Sequence, residues 1–410
     1  MNIKILGSGN EVGRSAILIE EGKKILLDCG VKIQPEPPTY PLIEKTDAAI
    51  ISHAHLDHSG AMPLLAKKKT PIFMNDITLE LSALLVRDSI KVAKRNGYST
   101  PFSKTDLKRC IKQTKLVNYN ENFSIGRFRC SLFDAGHIPG SSGILLDNGK
   151  RIFYTADIQT GESHLLNPCK LPKNVDVLIT ESTYSYKDHP KREDVERTLI
   201  EKIEETLARN EKVLMPVFAV GRAQEVLLIL EKYAKKIALD GMAKTASEII
   251  ADYGAYIKDA KRLHKILEKV KFVKTKEDRA EAIKKYPILV TSAGMLGGGP
   301  VVHYLRELQK RAGSKVLFTG FLVEDTPGRN LIETKIFENA EERFKVHCDL
   351  HQSELSAHTD RSGLFDIIKK TNPKKVICVH GENCDRFAKD IEETFGIEAF
   401  GPSNGETIRV

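Results

Sequence analysis

The chain has 410 residues, 41% apolar and 29% charged, an ordinary globular composition that excludes wholesale disorder and a collagen-like build. At roughly 150 residues per domain its length fits two or three units. Its 63 Lys and Arg against 55 Asp and Glu leave a charge of +8, a weak pointer to a polyanionic partner, and no run approaches the ~18 apolar residues of a membrane span. The seven cysteines are odd in number and contain no C-x-x-C pair, so a disulfide framework is not expected and the cytoplasm is the expected compartment. The N-terminus reads as a strand ending in a glycine turn, not as a secretory signal.

In chain order, residues 2–6, 15–20, 24–28 and 47–51 are short apolar or alternating runs between Gly, Pro and charged turns, and they predict strands. Asp76 to Arg95 carries Leu81, Leu84, Leu85 and Val92 at helical spacing. Strands follow at 127–133, 142–147, 151–155 and 175–180, a pattern that suits two packed sheets with helices outside. Beyond about residue 187 helix and strand alternate, from a helix at 193–209 through KVLMPV, RAQEVLLILEKYAKK, PILVTS and KVLFTGF, as in a parallel α/β unit. The texture shifts again near 345–360, and the chain ends with KKVICVH, a helix at 383–394 and a terminal strand. A middle domain inserted within a first one explains this order better than three beads in a row.

Several motifs fail. GSGNEVG follows a strand, but position 12 is Val, the third glycine falls at 13, and a strand rather than a helix comes next. P-loop and H-E-x-x-H patterns are absent.

The informative segment is Ser52-His53-Ala54-His55-Leu56-Asp57-His58-Ser59-Gly60, directly after an apolar strand. His53 and His55, two apart in extended chain, point to one side, while Asp57 and His58 fall where the chain turns. The loop thus offers two imidazoles to one metal and a carboxylate plus an imidazole to a second, a donor set suited to zinc. Asp28, His137, Asp157 and His380 each follow a β-type run and are candidates to complete a dinuclear site.

The H-x-H-x-D-H loop with Asp28, His137 and Asp157 resembles the metallo-β-lactamase superfamily. LITESTY (Glu181), PVFAVGRAQE (216–225), TSAGMLGGGP (291–300), LSAHTD (His358) and CVHGE (His380) resemble its β-CASP branch, the nucleic-acid-processing nucleases. The nearest likeness is to archaeal cleavage-and-polyadenylation-type nucleases, and next to ribonuclease J. The resemblance implies an αββα sandwich (residues 1–186 and 346–410) around an inserted α/β β-CASP domain (187–345). It also implies two Zn2+, with Mn2+ or another divalent ion as the alternative. His53, His55 and His137 would hold one, Asp57, His58 and His380 the other, with Asp157 bridging and Asp28 behind the ligands.

The implied activity is zinc-dependent hydrolysis of RNA, endonucleolytic or 5′-to-3′ exonucleolytic, leaving 5′-phosphate and 3′-hydroxyl ends. Asp57 would serve the catalytic centre, and His358, oriented by Glu181, would protonate the leaving oxygen. His380 favours RNA, because the family's DNA-processing branch usually has an apolar residue there. Arg222, Ser292, Gly294 and Gly297 are candidate phosphate contacts at glycine-rich loops that open helices. Arg222 has an ion pair with Glu225 as its other reading.

Thr155-Ala156-Asp157 stands where the family commonly shows S-G-D, with the ligand retained. The chain starts at the first sandwich strand, and no N-terminal KH module is expected. RNA is the expected partner, without a membrane; a homodimer and other RNA-processing or decay proteins are compatible. Lysine runs at 67–69 and 235–236 read as solvated faces, and His347 and His351 as an exposed linker. The +8 excess is expected to serve a phosphate-tracking groove between the domains, with binding that weakens in salt. The alternatives are a non-catalytic subunit of an RNA 3′-end-processing complex, a DNA nuclease, and a small-molecule metallohydrolase.

Overall fold

A computed structural model describes residues 1–410, which divide into two compact units. The first comprises Met1–Glu162, Leu166–Asp188 and Ala357–Val410; the second comprises Ser163–Leu165 and His189–Ser356. No helix is long and apolar enough to cross a membrane.

The first unit holds two seven-stranded mixed sheets. One runs, edge to edge, through Thr407–Arg409, Asn2–Gly7, Ala16–Glu21, Lys23–Leu27, Ala48–Ile50, Ile72–Met74 and Thr114–Leu116. The other runs through Glu398–Phe400, Lys375–Val379, Val177–Glu181, Arg151–Tyr154, Ser142–Asp147, Phe128–Asp134 and Asn122–Ile125. Strand parity sorts the side chains. Ile17 and Ile19 face the second sheet and meet Leu132, Ile144, Ile179 and Ile377, while Leu18 and Leu26 point the other way onto Leu65, Val86 and Leu107 of the outer helices. Leu145, Phe153, Leu178 and Val376 likewise meet Leu364, Ile367, Phe387 and Ile391. Both faces of both sheets are therefore buried, which explains near-continuous apolar runs such as AILIE and VLIT. The layers are αββα, as expected from the sequence.

Strand direction gathers the chemistry. Phe128–Asp134 and Arg151–Tyr154 are both antiparallel to the strand between them, so they run the same way, and Val177–Glu181 and Lys375–Val379 are parallel to Arg151–Tyr154 in turn. Their C-terminal ends share one edge. From the other sheet, Lys23–Leu27 and Ala48–Ile50 are parallel neighbours and end at Asp28 and at the histidine loop.

The second unit is a six-stranded parallel sheet in the order Lys271–Phe272, Ile237–Asp240, Ile288–Thr291, Val213–Pro216, Lys315–Phe318 and Asp349–Gln352. Leu214, Leu289 and Val316 pack on Val301, Leu305 and Leu331 of its helices. His351 lies in the edge strand Asp349–Gln352, not in an exposed linker. Asp349 is the exposed residue of that strand, and Leu350, His351 and Gln352 are half-buried.

Candidate metal centre

The loop after Ala48–Ile50 turns at once into a one-turn helix, Leu56–Ser59, whose N-cap is His55. Its base is pinned to the segment after the neighbouring strand: Cys29 N–H donates to the His58 carbonyl at 2.8 Å and Val31 N–H to that of Leu56 at 2.8 Å. Three strand ends leave their sheets through a non-glycine residue in the left-handed region, Asp28 (φ 62°), Ala156 (φ 48°) and His380 (φ 52°). That conformation costs about 1–2 kcal/mol per residue and breaks the pleat so that the side chain leaves the strand axis.

Seven of the predicted residues converge as two groups of donor atoms that share Asp157. In the first, His55 Nδ1 lies 3.1 Å from His137 Nε2, and Asp157 Oδ2 lies 3.5 Å from His53 Nε2 and 3.6 Å from His137 Nε2. In the second, His58 Nε2 lies 3.1 Å from Asp157 Oδ1 and 3.4 Å from His380 Nε2, which lies 3.2 Å from Asp57 Oδ2. Two ligands of a tetrahedral zinc at 2.0–2.1 Å stand about 3.3–3.4 Å apart, close to the spacings within each group. His53 Nε2 and Asp157 Oδ1 are buried without a hydrogen-bond partner, as atoms reserved for a cation would be. The donor set therefore fits a pair of divalent ions.

The other ring nitrogens of His53, His137, His58 and His380 are occupied, which aims those imidazoles. Ser52 Oγ is 3.0 Å from His53 Nδ1, and the Ala357 carbonyl accepts from His137 Nδ1 at 2.8 Å. Asp28 Oδ2 takes His58 Nδ1 at 2.7 Å. Asp28 is itself saturated by the Ser52 amide (2.7 Å), the Ser52 hydroxyl (2.9 Å) and the Tyr154 hydroxyl (2.9 Å). Burial, ahead of any neighbour, pushes His53, His55 and His137 below the ordinary imidazole range, leaving the neutral rings that metal ligation requires. Burial opposes ionisation of Asp157, but His380, His58 and His358 hold it well below the usual carboxylate range.

Beside the first group stands a separate pair. Glu181 Oε2 takes His358 Nδ1 at 2.8 Å, and Glu181 Oε1 accepts the Ile158 amide at 2.7 Å. His358 Nε2 points toward Asp157 Oδ2 at 3.8 Å. Burial works against a charged ring here, yet the Glu181 and Asp157 carboxylates overcome it and push His358 up to about 9.

The remaining predicted residues lie in the second unit. Arg222 opens the helix Arg222–Ile229 and shares a cleft with Phe218, Gly294, Phe318, Gly320 and Phe321. Glu225 pairs with Arg192 and accepts the amides of His164 (2.9 Å) and Leu165 (2.8 Å), so it is not the ion-pair partner of Arg222. The Ser292 hydroxyl oxygen accepts the Met242 amide at 2.9 Å. A Cβ at Gly294 would meet Phe218 N at 3.1 Å, whereas Gly297 faces open space.

Sequence reasoning missed Tyr154, Ser52 and Thr183, whose hydroxyl lies 3.2 Å from His380 Nδ1. Tyr154 carried a signal: a hydroxyl at an inward position of a buried strand, three residues before Asp157, needs a polar partner. The Ala357 carbonyl carried none.

An αββα sandwich with a His/Asp centre at its strand ends, interrupted by a parallel α/β unit, is the metallo-β-lactamase fold with a β-CASP insertion. Comparison with known proteins agrees. Residues 223–331 match the Beta-Casp domain, residues 343–402 the Zn-dependent metallo-hydrolase RNA specificity domain, and residues 1–205 the Anti-Pycsar protein Apyc1 family. The chain is 40% identical to a probable RNase MJ4 of Methanocaldococcus jannaschii, covering 100% of both chains. It is 33% identical to RNase aCSPSF2 of Saccharolobus solfataricus (99% of this chain, 85% of that one). It is also 33% identical to transcription termination factor FttA of M. jannaschii (100% and 72%). A crystal structure of a protein of unknown function from Enterococcus faecalis V583 shares the fold at a TM-score of 0.66 and 16% identity, over 100% of this chain and 99% of that one. The chain belongs to the β-CASP family of metallo-β-lactamase-fold ribonucleases related to the archaeal cleavage-and-polyadenylation factors.

Proposed function

We propose that this protein is a zinc-dependent ribonuclease that hydrolyses RNA phosphodiester bonds to 5′-phosphate and 3′-hydroxyl ends. The observation that carries the reading is the juxtaposition of two donor groups sharing Asp157 with the His358–Glu181 pair. His53, His55 and His137 would hold one ion, Asp57, His58 and His380 the other, and Asp157 both. When bound, such ions polarise a phosphodiester and bring the pKa of water down to about 7.

The chain's own groups do the rest. Glu181 holds the His358 ring by Nδ1 and keeps a proton on Nε2, the nitrogen that faces the centre. A departing 3′-oxygen takes that proton, and Glu181 balances the imidazolium before transfer. Asp28 fixes the tautomer of His58, and the Ala357 carbonyl that of His137. The full donor set argues against a non-catalytic subunit. Within this reading, residues 1–186 and 346–410 form the metallo-β-lactamase domain and 187–345 the β-CASP domain, and Arg222, Ser292, Gly294 and Gly297 contact substrate phosphates.

The test uses metal-stripped and zinc-reloaded protein on 5′-labelled RNA carrying triphosphate, monophosphate or hydroxyl ends. Zinc-dependent internal cuts or a ladder from the 5′ end support the reading. His358→Ala should keep both zinc ions and lose about 10²–10⁴-fold in cleavage. Metal loss in that variant would make His358 a ligand. Binding without cleavage by zinc-loaded protein, or turnover of a thioester in place of RNA, would sink the ribonuclease assignment.

A further inference from the structure

The +8 charge is not spread over the molecule. Residues 61–118 contain 12 Lys and Arg against 4 Asp and Glu, an excess equal to that of the whole chain, and the other residues hold 51 of each sign. In the first unit this segment forms the outer helical layer on one sheet: the short helix Pro63–Lys67, the helix Asp76–Arg95, the helix Lys104–Gln113 and the edge strand Thr114–Leu116. The helix Lys104–Gln113 packs on both of the others. All 12 cations are exposed, whereas of the four acids only Glu80 is; Asp106 is buried and Asp76 and Asp88 are half-buried.

The cations form stripes. Arg87, Lys91, Lys94 and Arg95 fall within about 100° of arc on one helix, and Lys104, Lys108 and Lys112 within about 80° on the next. The opposite face of that second helix buries Leu107 and Cys110. Lys67 and Arg109 are 3.8 and 3.5 Å from Asp106. Arg87, Lys91, Lys94, Lys104, Lys108 and Lys112 enter no ion pair, so their charge stays available to a ligand. The exposed large apolar residue here is Leu116, and no exposed aromatic ring lies among them. Such a surface reads phosphates, not bases.

The lobe is tied to the metal centre. Asn75 caps the long helix, and its side-chain amide donates to the Gly140 carbonyl at 2.6 Å, in the loop that carries His137. The helix then runs away from that loop. At ~1.5 Å per residue, Arg87 to Arg95 lie about 17–28 Å along it.

We propose that this helical lobe is a sequence-independent RNA-binding surface that holds the phosphates of a substrate's flank while the scissile bond lies at the metal centre. Lys67, Lys68 and Lys69, a solvated run in the sequence alone, belong to it because their helix packs on Lys104–Gln113. The proposal rests on RNA being the substrate.

The experiment compares wild type with a variant carrying Lys91→Gln, Lys94→Gln, Lys104→Gln, Lys108→Gln and Lys112→Gln. Metal-free protein and a 40-nucleotide single-stranded RNA are titrated by fluorescence anisotropy across salt concentrations. Each neutralised phosphate contributes about 0.7 to the slope of log K against log salt for a single strand. The variant should therefore lose about 3 from the slope and at least tenfold in affinity at 0.1 M salt. In zinc-loaded protein its KM for the long RNA should rise at constant kcat, while cleavage of a four-nucleotide substrate should match wild type. An unchanged slope would overturn the proposal even if RNA is cleaved. So would unchanged RNA binding with lost binding to phosphatidylserine vesicles, which would assign the lobe to a membrane. Slope loss in a protein that cleaves no RNA would sustain the lobe and sink the ribonuclease reading.

Discussion

Asp28→Asn tests whether the centre depends on the hydrogen bonds behind its ligands. Asp28 is fully buried and accepts four hydrogen bonds, from the Ser52 amide and hydroxyl, the Tyr154 hydroxyl and His58 Nδ1. An amide side chain can keep its oxygen toward the Ser52 N–H. Its NH2 then confronts three donors. The arrangement resolves most cheaply if His58 changes tautomer, accepting at Nδ1 and carrying its proton on Nε2. That is the atom now 3.1 Å from Asp157 and 3.4 Å from His380. A protonated Nε2 has no lone pair for a metal. Loss of such an orienting partner costs ~10–100-fold in metal affinity, or about 1.4–2.7 kcal/mol. Because His55 and His137 do not touch Asp28 and His53 meets it only through the Ser52 hydroxyl, the larger loss should fall on one equivalent of two. Zinc titration against a chromophoric chelator resolves this: wild type binds two tight equivalents, and the variant one tight and one weakened. Tyr154→Phe, which removes one of four donors and leaves the tautomer in place, should keep both while losing about 1 kcal/mol of stability. Two unweakened equivalents in Asp28→Asn would refute the tautomer argument.

Gly30 lies under the histidine loop, and a Cβ there would meet the Asp57 carbonyl oxygen at 1.7 Å. Gly30→Ala should cost about 1–3 kcal/mol and release zinc, read by thermal unfolding and elemental analysis; a wild-type melting temperature with full metal would contradict it. Burial pushes all seven thiols up, Cys110, Cys130 and Cys169 to about 12 and Cys348 and Cys384 to about 11. Iodoacetamide at pH 8 should therefore label none in the native protein and seven after unfolding, counted by mass spectrometry. In the second unit the Glu196 carboxylate, 2.9 Å from His164 Nε2, raises the His164 pKa. Its contribution to stability is complete below the ordinary imidazole value and fades as pH rises through the raised one. The melting-temperature deficit of His164→Gln should thus be largest near pH 6 and shrink toward alkaline pH; a constant deficit would assign His164 a packing role alone.

Much of the fold was legible because each layer imposes its own period. Alternation in SAILIE and the 3.6-residue spacing in Asp76–Arg95 reflect what each face touches, and a sandwich covered on both sides follows. The helix Lys104–Gln113 was not picked out, for it buries little beyond Leu107 and Cys110 and lies in a segment dominated by lysine. Glu225 shows the limit of local reading. Three residues from Arg222 it invited a helical ion pair, but Arg192 and the amides of His164 and Leu165, remote in sequence, take both its oxygens.

By itself, the sequence determined the donor types, the strand ends that carry them and the family they resemble, because those features are written in short contiguous stretches. Tertiary structure alone decided which oxygen of Asp157 faces each donor group and that Ser52 and Tyr154 stand with Asp28 behind His58. It also decided how the basic excess of residues 61–118 is displayed, as exposed side chains on one helical layer. The physical reason is common to all three: ring orientation, tautomer and surface potential depend on groups brought together from distant parts of the chain, and spacing along the chain carries no record of them.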